Sequence, residues 1–144
     1  MVEIRYITSK DDAYKQVLQL RNAVLRAPLG MNLYEEDLTR DENDHILLAY
    51  ENTELAGCVM LKPLDAKEIK LRAMAVYPRF QRKGIGKKLV ESAEDLARKK
   101  GYETIVLHAR VVAREFYSNM GYDAVSDEFI EVTVPHVAMQ KHIG

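Results

Sequence analysis

The chain has 144 residues, of which 47% are hydrophobic and 30% are charged, and its formal net charge at pH 7 is −1. This size predicts one domain over residues 1–144 with a sizeable core, and the composition is that of an ordinary globular protein. The near-neutral charge gives no electrostatic reason to expect nucleic-acid binding, and we find no signal peptide or apolar run of membrane-spanning length, so we expect a cytoplasmic protein without a membrane partner.

The N-terminal part of the chain predicts a strand, a helix and a polar loop. Val2–Ile7 alternates apolar and polar residues, which is typical of a half-buried strand. A helical pattern follows, with Ser9 and Asp12 as its N-cap pair and Pro28 near its end. Residues 28–44 lack periodicity and are rich in acids, which predicts an irregular segment, with a short helix allowed inside it.

A β-hairpin comes next. Two apolar runs, His45–Tyr50 and Leu55–Leu61, are joined by turn-forming residues at 51–54. Cys58 is the only cysteine, so no internal disulfide is possible, and its place in a strand-like run predicts a buried thiol rather than a nucleophile. Lys67–Tyr77 predicts a further strand, antiparallel to the second run.

A turn with two glycines, Gln81–Gly86, separates this strand from an amphipathic helical pattern at Lys87–Lys100. Glycine lets the backbone approach a ligand closely, and the first N–H groups of a helix are unpaired and carry partial positive charge. Arg82, Lys83 and Lys87 add full charges. The segment therefore predicts a site for a phosphate-bearing ligand; the alternative is a plain helix-start turn with solvated basic residues.

The remaining elements follow from periodicity. In the helix after the glycine turn, Glu94 is predicted to face water and to pair with Arg98. Glu103–Ala109 predicts a central strand that is parallel to Lys67–Tyr77 through a right-handed crossover. Next come a short helix near 111–120, ended by Gly121, and a closing antiparallel pair, predicted at the following two segments: Tyr122–Ser126 and Val132–His142.

Spacing distinguishes between the families that use glycine turns on phosphates. A nucleotide P-loop requires a glycine where Gln81 stands, and a dinucleotide fingerprint requires a third glycine where Leu89 stands. The pattern that remains is Q/R-x-x-G-x-G/A, which Gln81, Gly84 and Gly86 match. Farther along, a second motif reads A-x-x-F/L-Y-x-x-x-G-F/Y and is matched by Ala113, Phe116, Tyr117, Gly121 and Tyr122.

With the preceding strand Met74–Pro78, these motifs resemble the GNAT family of N-acetyltransferases over residues 45–125. The resemblance implies an α/β (α+β) fold of three layers, with a mixed central sheet of about seven strands, flanking helices and a splayed strand pair that holds the acyl-pantetheine arm. It also implies acetyl-CoA (coenzyme A) as co-substrate and no metal. The histidines and Cys58 form no zinc pattern.

The resemblance assigns roles to individual residues. A bulged strand would offer backbone groups to the pantetheine and thioester at Met74, Ala75 and Val76, and the glycine turn would bind the pyrophosphate through Gln81, Arg82, Lys83, Gly84, Ile85, Gly86 and Lys87. Tyr117 would donate to the departing thiolate; the alternative is a core tyrosine beside Phe116. The motif nominates no general base. The candidates are His136, Glu131, Glu128 and a carboxylate of residues 35–44 acting through water, whereas His108 is predicted to pack or to line the substrate cleft.

The predicted function is acyl-CoA-dependent N-acyltransfer, with acetyl passing to a primary amine by direct attack in a ternary complex. The acceptor is a small molecule or peptide; the acidic segment 28–44 hints at a cationic one, but a solvated loop explains those acids equally well. Arg110 stands where many family members carry asparagine, and Arg110 or Arg114 could meet a CoA phosphate or a carboxylate substrate. The alternatives are an idle CoA-binding regulatory module of the same fold and a nucleotide-binding protein. A homodimer is compatible with the resemblance.

Overall fold

The computed structural model describes residues 1–144 and contains one mixed sheet of eight strands. The strands are β1 (Val2–Ile7), β2 (His45–Glu51), β3 (Glu54–Pro63), β4 (Glu68–Val76), β5 (Thr104–Arg110), β6 (Asp123–Ala124), β7 (Phe129–Glu131) and β8 (Val134–His142). Their order is β1-β2-β3-β4-β5-β8-β6, and β7 pairs with β8 beside this path. The helices are α1 (Tyr14–Arg21), α2 (Ile85–Lys99) and α3 (Arg114–Ser118).

Helices α1 and α2 pack on opposite faces of the sheet and make the three layers that were predicted. Side chains of a strand alternate between the two faces. One cluster joins α1 to β2 and β3 and contains Val17, Leu20, Ile46, Leu48, Cys58 and Met60. The larger cluster lies under α2 and includes Leu47, Val59, Leu61, Leu71, Leu89, Ala93, Leu107 and Met139. Cys58 is buried as predicted, and burial raises the pKa of its thiol to about 12.

Strands β4 and β5 separate partway along their length. They are parallel and pair from Glu68 opposite Thr104 to Leu71 opposite Leu107. Beyond that point no pairing continues, although β4 runs on to Val76. The predicted splayed pair is therefore confirmed, and it opens a gap at the C-terminal ends of the two central strands.

A β-bulge lies on β4 at the start of this gap. Cys58 pairs with Ala75 and Met60 pairs with Arg72, so β4 carries one residue more than β3 between these pairs. Ala73 takes a positive φ of 54°, which is rare for a residue with a side chain. At Gly57, opposite the end of β4, a Cβ would lie 2.9 Å from the Ala75 carbonyl oxygen, so only glycine lets β3 approach this strand so closely.

The start of the first helix differs from the prediction. Helix α1 begins at Tyr14, and Ser9 does not cap it. Instead, the Ala13 N–H donates to the Asp11 carboxylate at 3.0 Å. The helix continues as a π turn, and residues 27–41 then form 3₁₀ turns at Ala27–Leu29, Leu33–Glu35 and Leu38–Asp41.

The C-terminal region contains a hairpin that was not predicted. β7 pairs with the first residues of β8 across a turn at Val132 and Thr133, both of which have positive φ. The predicted partner strand Tyr122–Ser126 is reduced to the two residues of β6. None of the helices is both long and apolar enough to cross a membrane.

The prediction that Glu94 faces water was wrong. It is buried on α2, where it accepts a hydrogen bond from the Tyr122 hydroxyl at 2.9 Å and one from Lys141 Nζ at 3.1 Å. Helical periodicity could not show this, because both partners come from the C-terminal part of the chain. The pairing with Arg98 is present, at 3.8 Å.

Candidate active site

The glycine turn before α2 presents a row of free backbone N–H groups. Gly84 caps the helix with a φ of 79°, and the first helical bond runs from the Lys88 N–H to the Gly84 carbonyl at 3.1 Å. The N–H groups of residues 82–87 donate to no acceptor in the protein. Gln81 Nε2 donates to the Val76 carbonyl at 3.0 Å and so ties the turn to the end of β4. Unpaired donors at a helix N-terminus, with basic side chains around them, form an anion site.

Backbone groups of β4 border the gap beside this turn. The Tyr77 N–H donates to the Ala56 carbonyl at 2.9 Å, on the β3 side of the strand. Because successive N–H groups of a strand point to opposite sides, the Val76 N–H points into the gap, whereas the Ala75 N–H is on the β3 side. Of the three predicted strand contacts, Val76 thus offers a donor to the gap and Ala75 does not, while Met74 lines the cleft described next.

A cleft of about 450 Å³ opens where β4 and β5 separate. Helix α1 covers only part of its face of the sheet, and the uncovered part forms the floor of the cleft. This floor is polar and consists of Lys70, Arg72, His108, Arg110 and His136. The irregular segment after α1 forms one wall, and Tyr117 of α3 borders the cleft from the other side. The cleft therefore adjoins the gap and carries titratable groups that the apolar core lacks.

Tyr117 has a buried ring and an unpartnered hydroxyl. It is 6% exposed and packs edge-on against Phe116 and Tyr122, with ring centroids 5.0 and 5.8 Å away. Burial alone raises the pKa of Tyr117 well above its usual value, with no contribution from a hydrogen bond. The hydroxyl thus remains protonated at any physiological pH, and its position at the cleft leaves it available to a ligand.

Two histidines flank one carboxylate at the cleft. Glu131 Oε1 lies 2.9 Å from His108 Nδ1, and Glu131 Oε2 lies 3.8 Å from His136 Nε2. His136 Nδ1 donates to the Val134 carbonyl at 2.7 Å, so Nε2 carries the lone pair of the neutral ring. Burial opposes ionisation of Glu131, but the His108 hydrogen bond and the nearby cations outweigh it and lower its pKa. The unpredicted β7–β8 hairpin places Glu131 here.

Of the remaining base candidates, only Glu36 lines the cleft, and Arg26 holds it in an ion pair. Glu128 is exposed and does not line the cleft. Among the acids of residues 35–44, Glu36 pairs with Arg26 Nε at 2.7 Å, and Asp41 and Asp44 are buried in ion pairs. His108 lines the cleft, which is one of the two places predicted for it.

Arg21, Arg72 and Arg110 line one side of the cleft, which we call the arginine side, and a buried ionic network lies behind it. Asp41 accepts from Arg21 Nη1 at 2.7 Å, from Arg72 Nη1 at 3.1 Å and from the Tyr14 hydroxyl at 2.5 Å. Arg72 Nη1 also lies 2.7 Å from Asp44 Oδ2. Burial disfavours the Asp41 carboxylate, but these donors prevail and lower its pKa. Glu36, Asp41 and Asp44 of the acidic segment thus neutralise arginines of the protein itself, whereas the other acids of the segment are exposed. The hinted preference for a cationic acceptor stays a prediction.

We expect Asp41→Asn to lower the free energy of unfolding by about 3 kcal/mol at pH 7, because the buried Arg21 and the partly buried Arg72 lose the anion that they share. A carboxylate whose folded pKa is depressed stabilises the fold above its unfolded pKa of about 3.9 and stops doing so as the pH falls through the folded value. The difference from the wild type should therefore shrink below about pH 4. Urea unfolding at a series of pH values measures this.

The exposed Asp123→Asn serves as the control and should change stability by less than about 0.5 kcal/mol. A loss for Asp41→Asn that is no larger than for this control would show that the network does not stabilise the fold.

Comparisons with known proteins agree with this geometry. The family model of the acetyltransferase (GNAT) domain matches residues 13–143. The uncharacterised protein YyaT of Bacillus subtilis (strain 168) is 28% identical over 148 aligned positions, which cover 99% of this chain and 97% of YyaT. An acyl-CoA N-acyltransferase from Pseudomonas aeruginosa superposes with a TM-score of 0.82 at 22% identity, covering 98% of this chain and 99% of that one.

The structure of a GNAT family acetyltransferase from Elizabethkingia anophelis with acetyl-CoA bound superposes with a TM-score of 0.74 at 19% identity, covering 98% of this chain and 97% of the other. At these identities the superpositions establish the fold, and the family follows from the domain match, which extends over most of the chain. This protein belongs to the acetyltransferase (GNAT) family.

Proposed function

We propose that this protein transfers an acyl group, acetyl by default, from acetyl-CoA to a primary amine within a ternary complex. The observation that carries the proposal is the continuity of three features: the free N–H groups of residues 82–87, the gap between β4 and β5, and the cleft that holds Tyr117 and His136. When the diphosphate of acetyl-CoA binds at the N–H groups of residues 82–87, the pantetheine arm would run along the gap and its thioester would lie at the cleft. The acetyl-CoA complex of a structural neighbour supports the same co-substrate here.

The residues at the gap would act on the thioester. The Val76 N–H points toward the space where the acyl carbonyl would lie, and a fixed backbone donor stabilises the oxyanion that forms when the amine attacks. The C–N bond forms, the C–S bond breaks, and CoA leaves as a thiolate. Tyr117 is placed to donate a hydrogen bond to that sulfur.

His136 is our proposed general base. Its Nε2 carries a lone pair at the cleft, and the Glu131 carboxylate 3.8 Å away would stabilise the imidazolium that forms on proton transfer. A base is useful because an ammonium has no lone pair, and an amine of pKa ~10.4 is only about 0.04% neutral at pH 7. Glu131 itself is the alternative base, but its lowered pKa makes it the weaker acceptor.

We expect His136→Gln to lower kcat by about 10²-fold at pH 7, within the usual range for loss of a general base. The deficit in kcat should shrink as the pH rises toward the pKa of the free amine, because a larger fraction of the acceptor is then already deprotonated in solution. Steady-state kinetics from pH 6.5 to 10 would show this as converging profiles.

His142→Gln, six positions along the same strand and exposed, is the matched control and should follow the wild-type profile. A His136→Gln deficit that stays constant with pH would assign the residue a structural role and leave Glu131 as the remaining candidate.

The function as a whole is tested by two measurements on the intact protein. Acetyl-CoA should raise the melting temperature, whereas ATP and NAD should not. A panel of primary amines should then include substrates that release free CoA and gain an acetyl group, detected by mass spectrometry. Stabilisation by acetyl-CoA without turnover on any amine would instead indicate a CoA-binding module, and stabilisation by ATP or NAD alone would indicate a nucleotide-binding protein.

A further inference from the structure

The acceptor cleft has more positive than negative charge. The charged side chains that line it are the cations Arg21, Arg26, Arg40, Lys70, Arg72 and Arg110 and the acids Glu36 and Glu131. The buried network described above compensates Arg21 and Arg72, and Glu36 compensates Arg26. The other three cations, Arg40, Lys70 and Arg110, form no ion pair, and Glu131 is the one acid left to balance them. An excess of positive charge therefore faces any molecule in the cleft.

Arg110 is held in place at the floor of this cleft without a counter-ion. It lies directly opposite His136 in the β5–β8 pairing, so the two side chains share one face of the sheet. Its Nη2 donates to the Leu25 carbonyl at 2.9 Å, which orients the guanidinium, and its other nitrogens make no hydrogen bond within the protein. Burial and the neighbouring Arg26 lower the pKa of Arg110. A half-buried guanidinium with free donors is a site for an anion.

Building on the proposed function, we propose that the acceptor is a small amine that also carries a carboxylate, such as an amino acid. Its carboxylate would bind at Arg110 on the arginine side, and its amine would lie toward His136 and Glu131. A guanidinium can donate two parallel hydrogen bonds to a carboxylate. A polyamine or other polycation has no carboxylate to accept them. The cleft volume of about 450 Å³, shared with the end of the pantetheine arm, suits a small molecule.

Matched substrates test the proposal on the unaltered protein. Amino acids, including β- and γ-amino acids, are compared as sets of three: the free acid, its carboxamide, and the decarboxylated amine. With saturating acetyl-CoA, kcat/KM for the preferred free acid should be at least about tenfold higher than for its amide and its decarboxylated amine. A charge-assisted hydrogen bond of modest strength accounts for a difference of this size.

Arg110→Gln locates the contact. It should raise KM for the free acid by about 10–100-fold, leave KM for acetyl-CoA unchanged, and have little effect on the amide, while Arg110→Lys should restore part of the loss. Arg5→Gln makes the same charge change at a side chain that is 59% exposed on β1, and it should leave both acid and amide kinetics unchanged.

The possible failures are distinguishable. This inference is overturned if amides or polycationic amines are turned over as well as free acids or better. It is also overturned if Arg110→Gln lowers activity equally for acids and amides. Either result leaves the proposed function standing. If no amine is acetylated, calorimetric titration of the CoA-loaded protein with each acid and its amide decides the inference separately. Tighter binding of acids that Arg110→Gln abolishes supports it, and equal or absent binding overturns it.

Discussion

Tyr117→Phe should lower kcat by about 10²-fold and change KM for acetyl-CoA by less than about threefold. The substitution keeps the ring that packs between Phe116 and Tyr122 and removes only the hydroxyl at the cleft. Steady-state kinetics that follow CoA release measure both parameters. A large effect on kcat alone indicates an interaction made when the thiolate departs.

The electrostatics define how far the proton moves in that step. Transfer from an ordinary tyrosine near pKa ~10 to a thiolate near ~8.5 is already uphill by about 2 kcal/mol. Because burial raises the pKa of Tyr117 further, complete transfer is still less favourable. We therefore expect the hydroxyl to act by donating a hydrogen bond to the developing thiolate, with the proton taken up later from solvent.

Tyr122→Phe is the matched control for this experiment. Tyr122 belongs to the same aromatic cluster, but its hydroxyl donates to the buried Glu94 at 2.9 Å. The control should lose about 1 kcal/mol or more of stability and keep its kcat. If Tyr117→Phe behaves in the same way, Tyr117 is a packing residue and the thiolate has another donor.

Gly86→Asp should weaken binding of acetyl-CoA by more than about 100-fold, while Gly86→Asn has a much smaller effect. Gly86 is in the first turn of α2, among the free N–H groups of residues 82–87. A carboxylate 4 Å from a phosphate charge costs on the order of 4 kcal/mol near a protein surface, and Asn has nearly the same shape without the charge. Calorimetric titration with CoA measures the difference.

Without ligand, the ranking of the two variants by stability should not follow their ranking by CoA affinity. A Cβ at Gly86 would meet only the Phe116 ring, at an ordinary 3.5 Å, so a side chain can begin there without a clash. An acid in the first turn also interacts favourably with the helix dipole, by about 0.3–1 kcal/mol. Gly86→Asp should therefore melt no lower than Gly86→Asn without ligand. Equal CoA affinities for the two variants would show that the diphosphate does not bind at these N–H groups.

Sequence predicted the parts of this molecule whose signals are local. The hairpin of β2 and β3 has turn residues between two apolar runs, and α2 has both its periodicity and a glycine turn before it. The β7–β8 hairpin escaped prediction because its turn residues, Val132 and Thr133, are β-branched and adopt positive φ, against their usual preference. Glu131, which this hairpin brings to the cleft, could be named from sequence only as one of several acids.

The charge balance of the cleft was also beyond prediction from sequence. Asp41 pairs with Arg21 and Arg72, which are 20 and 31 residues away along the chain. A pattern of acids in residues 28–44 gives no sign that some of them are buried against arginines, because ion pairing depends on how distant segments pack. The sequence therefore shows the acids of residues 28–44 but not that three of them pair with arginines or that cations predominate in the lining of the cleft.

The alternation of side chains along the paired part of β4 and along β5 has an evolutionary consequence. On β4, Ile69 and Leu71 pack under α2, while Lys70 between them faces the cleft; on β5, His108 lies in the same way between Leu107 and Ala109. Substitutions at Lys70 and His108 would change the lining of the cleft with little disturbance of the interior, so related chains can differ in what the cleft accepts while the intervening residues preserve folding.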